Sequence, residues 1–217
     1  TCGFCQWLIN NGVKPPSNIA VGHDSRISAE RIKKQVISAI CSYNFNVFDC
    51  SLASTPAMFM TTVDLDCVAA VQITASHHPY DRNGLKFFTT EGGLNSEDLD
   101  KVIENTRELI IPLHKAFTIE KVDFMSVYAK SLREMVCREV NAKVYDKPLL
   151  GYKIVVDAGN GVGGFYATEV LEKLGADISG SQFLEPDGMF PNHAPNPENK
   201  EAMRSISEAT LKNHADL

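Results

Sequence analysis

An α/β fold built on a mainly parallel sheet is what this sequence predicts, and three observations predict it. Apolar strand-like runs alternate with segments of helical periodicity over roughly the first 115 residues, the pattern of strands joined by crossover helices. One run, "VAAVQIT", is almost continuously apolar, as expected when both faces of a sheet are covered. Each run closes on turn chemistry: Gly22 and Asp24, Ser54 and Pro56, Asn83 and Gly84. At 217 residues the chain fits one large or two small domains of roughly 100–150 residues. The alternation breaks near "IIPLHKAFTIE" and resumes at "YKIVVDAGNG", which predicts two similar α/β domains, residues 1–118 and 119–217, the second truncated. Helices are expected on both faces of mixed, mainly parallel sheets.

The elements follow in order. Residues 2–11 read as a helix stopped by Gly12 and Pro15-Pro16. "NIAVGHD" is a strand. Ser28 caps a helix that carries Ile32, Val36, Ile37 and Ile40 at helical spacing. "FNVFDC" is the next strand, and "STPAMFMTTVDL" a turn and short helix with Pro56 in its first turn. "LKFFTT" is a strand after the loop 74–86, and Gly92-Gly93 a turn. "SEDLDKVIENTRELI" is a helix capped by Ser96 with an acidic first turn. A long helix runs from about Val122 to Asn141, with Val127, Leu132, Met135 and Val136 on its apolar side. Then come a strand, a Gly-rich turn, a helix and a strand through Ser181. A last helix is expected in "NKEAMRSISEATLKN".

Bulk properties narrow the function classes. With 44% hydrophobic and 22% charged residues the chain can bury a core. A net charge of −6 argues against general nucleic-acid binding, which needs a basic face. No apolar run approaches the ~20 residues that span a membrane, and no signal peptide is visible. The six cysteines lie mostly in apolar segments and read as reduced core residues. Cys2-Gly3-Phe4-Cys5 has redox spacing but no strand before it, so helix packing is the expected role.

The chemistry concentrates in "TASHHPYDRNGLKFF", Thr74 to Phe88. It sets a serine, two histidines, an arginine and a lysine directly after an apolar strand. Neighbouring side chains usually point apart, so His77 is not expected to serve Ser76 as the base of a hydrolase triad. His77, Arg82 and Lys86 suit the cationic frame of a phosphate. A serine that carries phosphate needs that frame, since the group brings a charge of about −1.5 to −2. Lys86 can serve as acid or base when its surroundings tune it. A solvated loop that merely ends a strand is the plainer alternative.

The loop closely resembles the phosphoserine loop of the α-D-phosphohexomutases, T-[AG]-S-H-N-P-x-x-x-N-G-x-K. Thr74, Ser76, His77, Pro79, Asn83, Gly84 and Lys86 match, and His78 stands where that family usually has Asn. "AVGHDSRISAE", "SLASTPA", "KIVVDAGNGVGG" and "EPDGMFPNHAPNPENKEAM" resemble further family segments. "GLKFFTTEGGL" is similar to the plant and algal plastid branch. The resemblance implies a mutase moving phosphate between O1 and O6 of a hexose through a phosphoserine enzyme and a bisphosphate intermediate. It implies Ser76, His77 and Lys86 as catalytic residues, and Arg82, Asn83 and Arg26 as substrate- or phosphate-binding residues. It also implies Ser76 as a ligand of Mg²⁺, shared with aspartates outside this sequence, and glucose 1,6-bisphosphate or a similar compound as activator. The expected partner is a hexose phosphate, with no nucleic acid and no membrane, for a monomer or homodimer of the cytoplasm or plastid stroma. On the resemblance, the chain is expected to be domain 1 without its first strand plus the front of domain 2, inactive by itself.

Two rivals come from other features. Gly159-Asn160-Gly161-Val162-Gly163-Gly164 satisfies G-x-G-x-x-G between a strand and a helix, with Glu185 about 20 residues on, as in a dinucleotide-binding oxidoreductase. Asp157 and Ala158, set between strand and first glycine, argue for a close-packed structural turn instead. The other rival is a lapsed sugar-phosphate-binding protein. His23 is expected as a lone exposed turn histidine, and Asp24 and Arg26 as a pair or as supports of their turn.

Overall fold

A computed structural model describes residues 1–107 and 117–217, which form two compact units. The first comprises Thr1–Asp24, Ser28–Thr74 and Asn83–Phe124; the second comprises Ser25–Ile27, Ala75–Arg82 and Met125–Leu217. Among the described residues no helix is long and apolar enough to cross a membrane.

In the first unit the elements run α1 (Cys2–Asn10), β1 (Asn18–His23), α2 (Ala29–Ser42), β2 (Asn46–Leu52), α3 (Thr55–Asp64), β3 (Ala69–Ile73), β4 (Leu85–Thr89), β5 (Gly92–Gly93), α4 (Ser96–Glu104) and β6 (Ile119–Lys121). The strands form one sheet in the order β5-β4-β3-β1-β2-β6. Pairs β3-β1, β1-β2 and β2-β6 are parallel; β3-β4 and β4-β5 are antiparallel. The sheet is thus mixed and mainly parallel, as expected.

The central strands β1 and β3 are buried on both faces, and the period of two sorts their side chains. Ile19 and Val21 of β1 and Ala69, Val71 and Ile73 of β3 join one core with Phe4, Leu8, Val36 and Ile40 from α1 and α2. Phe4 stacks on Phe87 of β4 at 4.4 Å between ring centroids. Full burial of the Phe4 ring contributes about 1.5–3 kcal/mol. The alternate residues face α3: a Cβ on Gly22 would lie 2.4 Å from the Met58 sulfur. Helices therefore cover both faces. His23, Leu52 and Ile73 end three neighbouring parallel strands, so the turns after them leave from the C-terminal edge, where open α/β sheets carry ligands.

Several local expectations need correction. Gly92-Gly93 is a short strand paired with β4 rather than a free turn. Asn95, not Ser96, caps α4, accepting a hydrogen bond from the Asp98 amide; Ser96 lies inside the helix. The expected tail of that helix, residues 108–110, and most of the expected linker fall outside the described residues. Ser28 sits at the N-cap of α2 but makes no side-chain cap bond; its hydroxyl donates to Asn83 Oδ1 at 2.5 Å. His23 is no exposed turn residue: it ends β1 at 8% exposure.

The second unit holds most of α5 (Phe124–Val140), then α6 (Gly164–Tyr166) running into a π-helical turn at Ala167–Glu172, and α7 (Lys200–Asn213). Ala129 and Cys137 of α5 pack with Val170 and Leu174, joined by Leu132, Val136, Phe165 and Tyr166. Val127 and Met135 are 49% and 46% exposed, so the buried stripe is centred on Ala129 rather than on the larger side chains. The two strands expected around the Gly-rich turn meet only through isolated parallel bridges, Lys153 with Asp177 and Asp157 with Gln182. Asn199 caps α7 by accepting from the Glu201 and Ala202 amides.

Candidate functional site

Within the first unit, the base of the serine loop is closed by hydrogen bonds that its own sequence supplies. The Thr74 amide donates to the Gly84 carbonyl at 3.0 Å. The Thr74 hydroxyl donates to Asp24 Oδ2 at 2.7 Å, so the aspartate of "VGHDSR" holds the mouth of this loop. Asn83 accepts from Ser28, as described above. Lys86 lies on β4, exposed, at the register position opposite Gln72. Beneath these turns His23 has Nδ1 2.8 Å from the Asp24 carbonyl oxygen and Nε2 3.2 Å from Glu30 Oε1.

Within the second unit, Arg26 organises Ala75–Arg82. It is 3% exposed. Its Nη2 donates to the carbonyls of Ser76 (3.1 Å) and His78 (2.7 Å); its Nη1 donates to those of Pro79 and Arg82, the latter at 3.1 Å. A planar fork with fixed donors suits such a task, because one side chain can bind several carbonyls of a curled backbone at once. Two tight turns complete the curl, His78 N to Ala75 O and Arg82 N to Pro79 O, both 3.1 Å.

Ser76 crowns this curl, exposed, with φ +56°. Few residues other than glycine adopt that conformation, and departures of this kind gather at functional sites. It changes where the side chains go. Ser76 Oγ lies 3.4 Å from His77 Nδ1, so serine and histidine do not diverge as alternation would have it. The His77 ring stacks on His78, centroids 4.9 Å apart and planes 22° apart. His77, His78 and Arg82 are all exposed around the serine.

The glycine-rich turn is packed from inside. A Cβ on Gly164 would fall 1.9 Å from the Leu184 carbonyl oxygen. Asn160, buried, donates from its amide group to the Glu185 carbonyl and accepts at its own carbonyl from Ser25 Oγ and the Asp187 amide. The glycines thus allow backbone to touch backbone, and Glu185 contributes its main chain there.

Sequence reasoning noted Asp157 only for its place before the first glycine and passed over His193. They form an ion pair with 7% and 9% side-chain exposure. Burial opposes charge on His193, but the Ala194 carbonyl and the Asp157 carboxylate outweigh it and hold its pKa above the ordinary histidine value. The available signal was an aspartate placed where a dinucleotide turn would begin directly with glycine.

Among the described residues no group of three or more His, Cys, Asp or Glu side chains could hold a metal ion. Magnesium demands a near-octahedral oxygen set. The single Ser76 oxygen does not make one, so these residues by themselves do not fit a Mg²⁺ site.

Comparison with known proteins agrees with the fold and places the chain. The sequence profile of phosphoglucomutase/phosphomannomutase alpha/beta/alpha domain I matches residues 1–110, and that of domain II matches residues 126–217. The chain belongs to the phosphoglucomutase/phosphomannomutase family. It is 30% identical over 199 residues to a phosphomannomutase/phosphoglucomutase of Pseudomonas aeruginosa, covering 92% of this chain and 40% of the relative. It is 34% identical over 167 residues to a phosphoglucosamine mutase of Campylobacter jejuni, covering 75% of this chain and 37% of the relative. The chain thus spans about two fifths of the length of these relatives. Among solved structures, a phosphoglucomutase/phosphomannomutase family protein from Burkholderia thailandensis shares the fold with a TM-score of 0.80 at 22% identity, over 98% of this chain and 45% of that one. Paramecium parafusin, a phosphoglucomutase, superposes with a TM-score of 0.63 at 18% identity, over 93% of this chain and 43% of that one.

Proposed function

We propose that this chain carries the phosphoryl-transferring half of a phosphohexomutase, with residues 1–118 and 119–217 as parts of two family domains and Ser76 as the phosphoryl carrier. The observation that carries the reading is Ser76 itself: exposed, at positive φ, with Oγ near His77 Nδ1, on a loop curled around Arg26.

The reaction interconverts hexose 1-phosphate and hexose 6-phosphate. A sugar hydroxyl oxygen bonds to the phosphorus on Ser76 while the bond from phosphorus to Oγ breaks. The hydroxyl proton is relayed by Lys86, the acid/base, to the departing Oγ, with His77 as a supporting contact. The reverse step, on the other phosphate of the bisphosphate, restores phosphoserine. Such transfer is mostly positioning and charge stabilisation. Arg82 and Asn83 meet the phosphate. Arg26 acts differently: its two terminal nitrogens already bind loop carbonyls, so it shapes the loop that presents Ser76. The relatives' names cover glucose, mannose and glucosamine phosphates, so the sugar is left open within that class.

The test is phosphopeptide mapping of the purified full-length protein before and after incubation with glucose 1,6-bisphosphate. Phosphate on Ser76 that a hexose monophosphate removes supports the mutase. A folded protein whose Ser76 is neither modified nor loaded, with Mg²⁺ present, overturns it and favours a sugar-phosphate-binding role.

A further inference from the structure

Arg26 is 3% exposed, yet the next residue, Ile27, is 67% exposed. Something other than its own strand end removes this guanidinium from water. On one side are the four loop carbonyls. On the other is Phe190, whose ring centroid lies 5.3 Å from Arg26 Cζ, within cation–π range.

The segment bearing Phe190 is built to reach that spot. A turn closes from the Phe190 amide to the Asp187 carbonyl at 3.0 Å, and the Asp187 carboxylate accepts from the Met189 amide at 2.9 Å. The turn is tied down by the Asp187 amide, which donates to the Asn160 carbonyl at 2.8 Å. Gly188 touches the Arg26 backbone so closely that a Cβ would lie 2.3 Å from the Ser25 carbonyl oxygen. Phe190 itself adopts φ +50°, a region that bulky side chains rarely enter. A phenylalanine is thus held in an unfavourable backbone conformation where its ring covers one arginine.

We propose that Phe190 is a positioning residue for the serine loop: its ring seats the Arg26 guanidinium on the carbonyls of Ser76, His78, Pro79 and Arg82 and thereby sets the place of Ser76. Excluding water strengthens those hydrogen bonds, and the ring's negative face compensates part of the charge. The consequence for catalysis rests on Ser76 being the phosphoryl carrier; the consequence for loop order does not.

Phe190→Asn and Phe190→Tyr separate ring from backbone. Asparagine tolerates positive φ but has no ring; tyrosine keeps the ring. Two quantities are read: hydrogen exchange of the His78 and Arg82 amides, and the rate at which glucose 1,6-bisphosphate loads Ser76. Unchanged protection of α7 amides certifies the fold. Phe190→Asn should speed loop exchange by about tenfold, from the span of cation–π strengths. It should slow loading by a similar factor, with the half-saturating bisphosphate concentration changed less than about twofold. Phe190→Tyr should restore both. Loop exchange unchanged in Phe190→Asn, or as fast in Phe190→Tyr as in Phe190→Asn, would overturn the proposal. A wild-type protein that never loads Ser76 would instead defeat the mutase reading, while the exchange comparison still decides the role of Phe190.

Discussion

His193 Nε2 lies 2.9 and 3.0 Å from the two carboxylate oxygens of Asp157, while its Nδ1 stands 3.0 Å from the Ala194 carbonyl oxygen. Both ring nitrogens face acceptors, so the arrangement calls for an imidazolium. The folded pKa is raised, so this contribution to stability is complete below the unfolded value of about 6.5 and is lost as pH rises through the folded value. The urea midpoint should therefore fall from about pH 6.5 upward, and His193→Gln should lose that part of the pH dependence. Asp157→Ala removes the carboxylate that offsets burial of the imidazolium, so it too should lose that part of the pH dependence.

Lys33 makes a second buried ion pair. Its Nζ lies 3.2 Å from Asp49 Oδ2 with both side chains 8% exposed, and 2.9 Å from Glu30 Oε1. Lys33→Ala leaves Asp49 buried without its cation and should cost about 3 kcal/mol, whereas Lys33→Met with Asp49→Leu should recover most of the loss. Equilibrium urea unfolding of the single and double variants checks both.

Ser76 trades stability for position. Glycine accepts φ +56° without the clash of a Cβ, at the expense of a more flexible unfolded chain. Ser76→Gly should be more stable than Ser76→Ala by about 1 kcal/mol, and neither should accept phosphate. Thermal unfolding together with phosphopeptide mapping reads both halves.

Gly164→Ala tests the glycine-rich turn as packing. Its Cβ would meet main chain, the Leu184 carbonyl, which cannot rotate away. A loss of about 3 kcal/mol is expected, at the upper end of overpacking costs. Denaturation unaffected by this change would remove the structural account of the turn.

Burial pushes the thiols of Cys5, Cys50 and Cys67 up to about 12. At pH 8 they should react with a disulfide reagent only as fast as the protein opens, while half-buried Cys2 reacts sooner. Comparison of thiol-release kinetics in native and urea-unfolded protein measures this.

The alternation of "NIAVGHD", "FNVFDC" and "VAAVQIT" with periodic segments made the parallel strands legible, because burial on both faces leaves long apolar runs. Motif spacing likewise singled out the Ser76 loop. What stayed hidden depends on distant partners. Ser28 leaves its cap for Asn83, 55 positions away, and His23 is buried beside Glu30. Nothing in "VGHDSR" says that Arg26 will bind four carbonyls 50 to 56 residues on, or that Phe190 will cover it. The expected strands around Gly159–Gly164 reduce to isolated bridges, a difference of backbone geometry that apolar content does not encode.

The antiparallel turn from β3 into β4 has an electrostatic consequence. In an ordinary parallel crossover the chain leaving a strand enters a helix, and the helix's first turn offers a partial positive charge to an anion. Here the segment after β3 doubles back as another strand, so no helix follows Ser76 before β4 in the chain. The carbonyls of Ser76, His78, Pro79 and Arg82 are turned inward to Arg26, and on the proposed function compensation for a doubly charged ester falls to side chains on the rim. Charge held that way is open to counter-ions, so on the proposed function added salt, at a Debye length near 10 Å in 0.1 M solution, is the simplest external control over a phosphate at this serine.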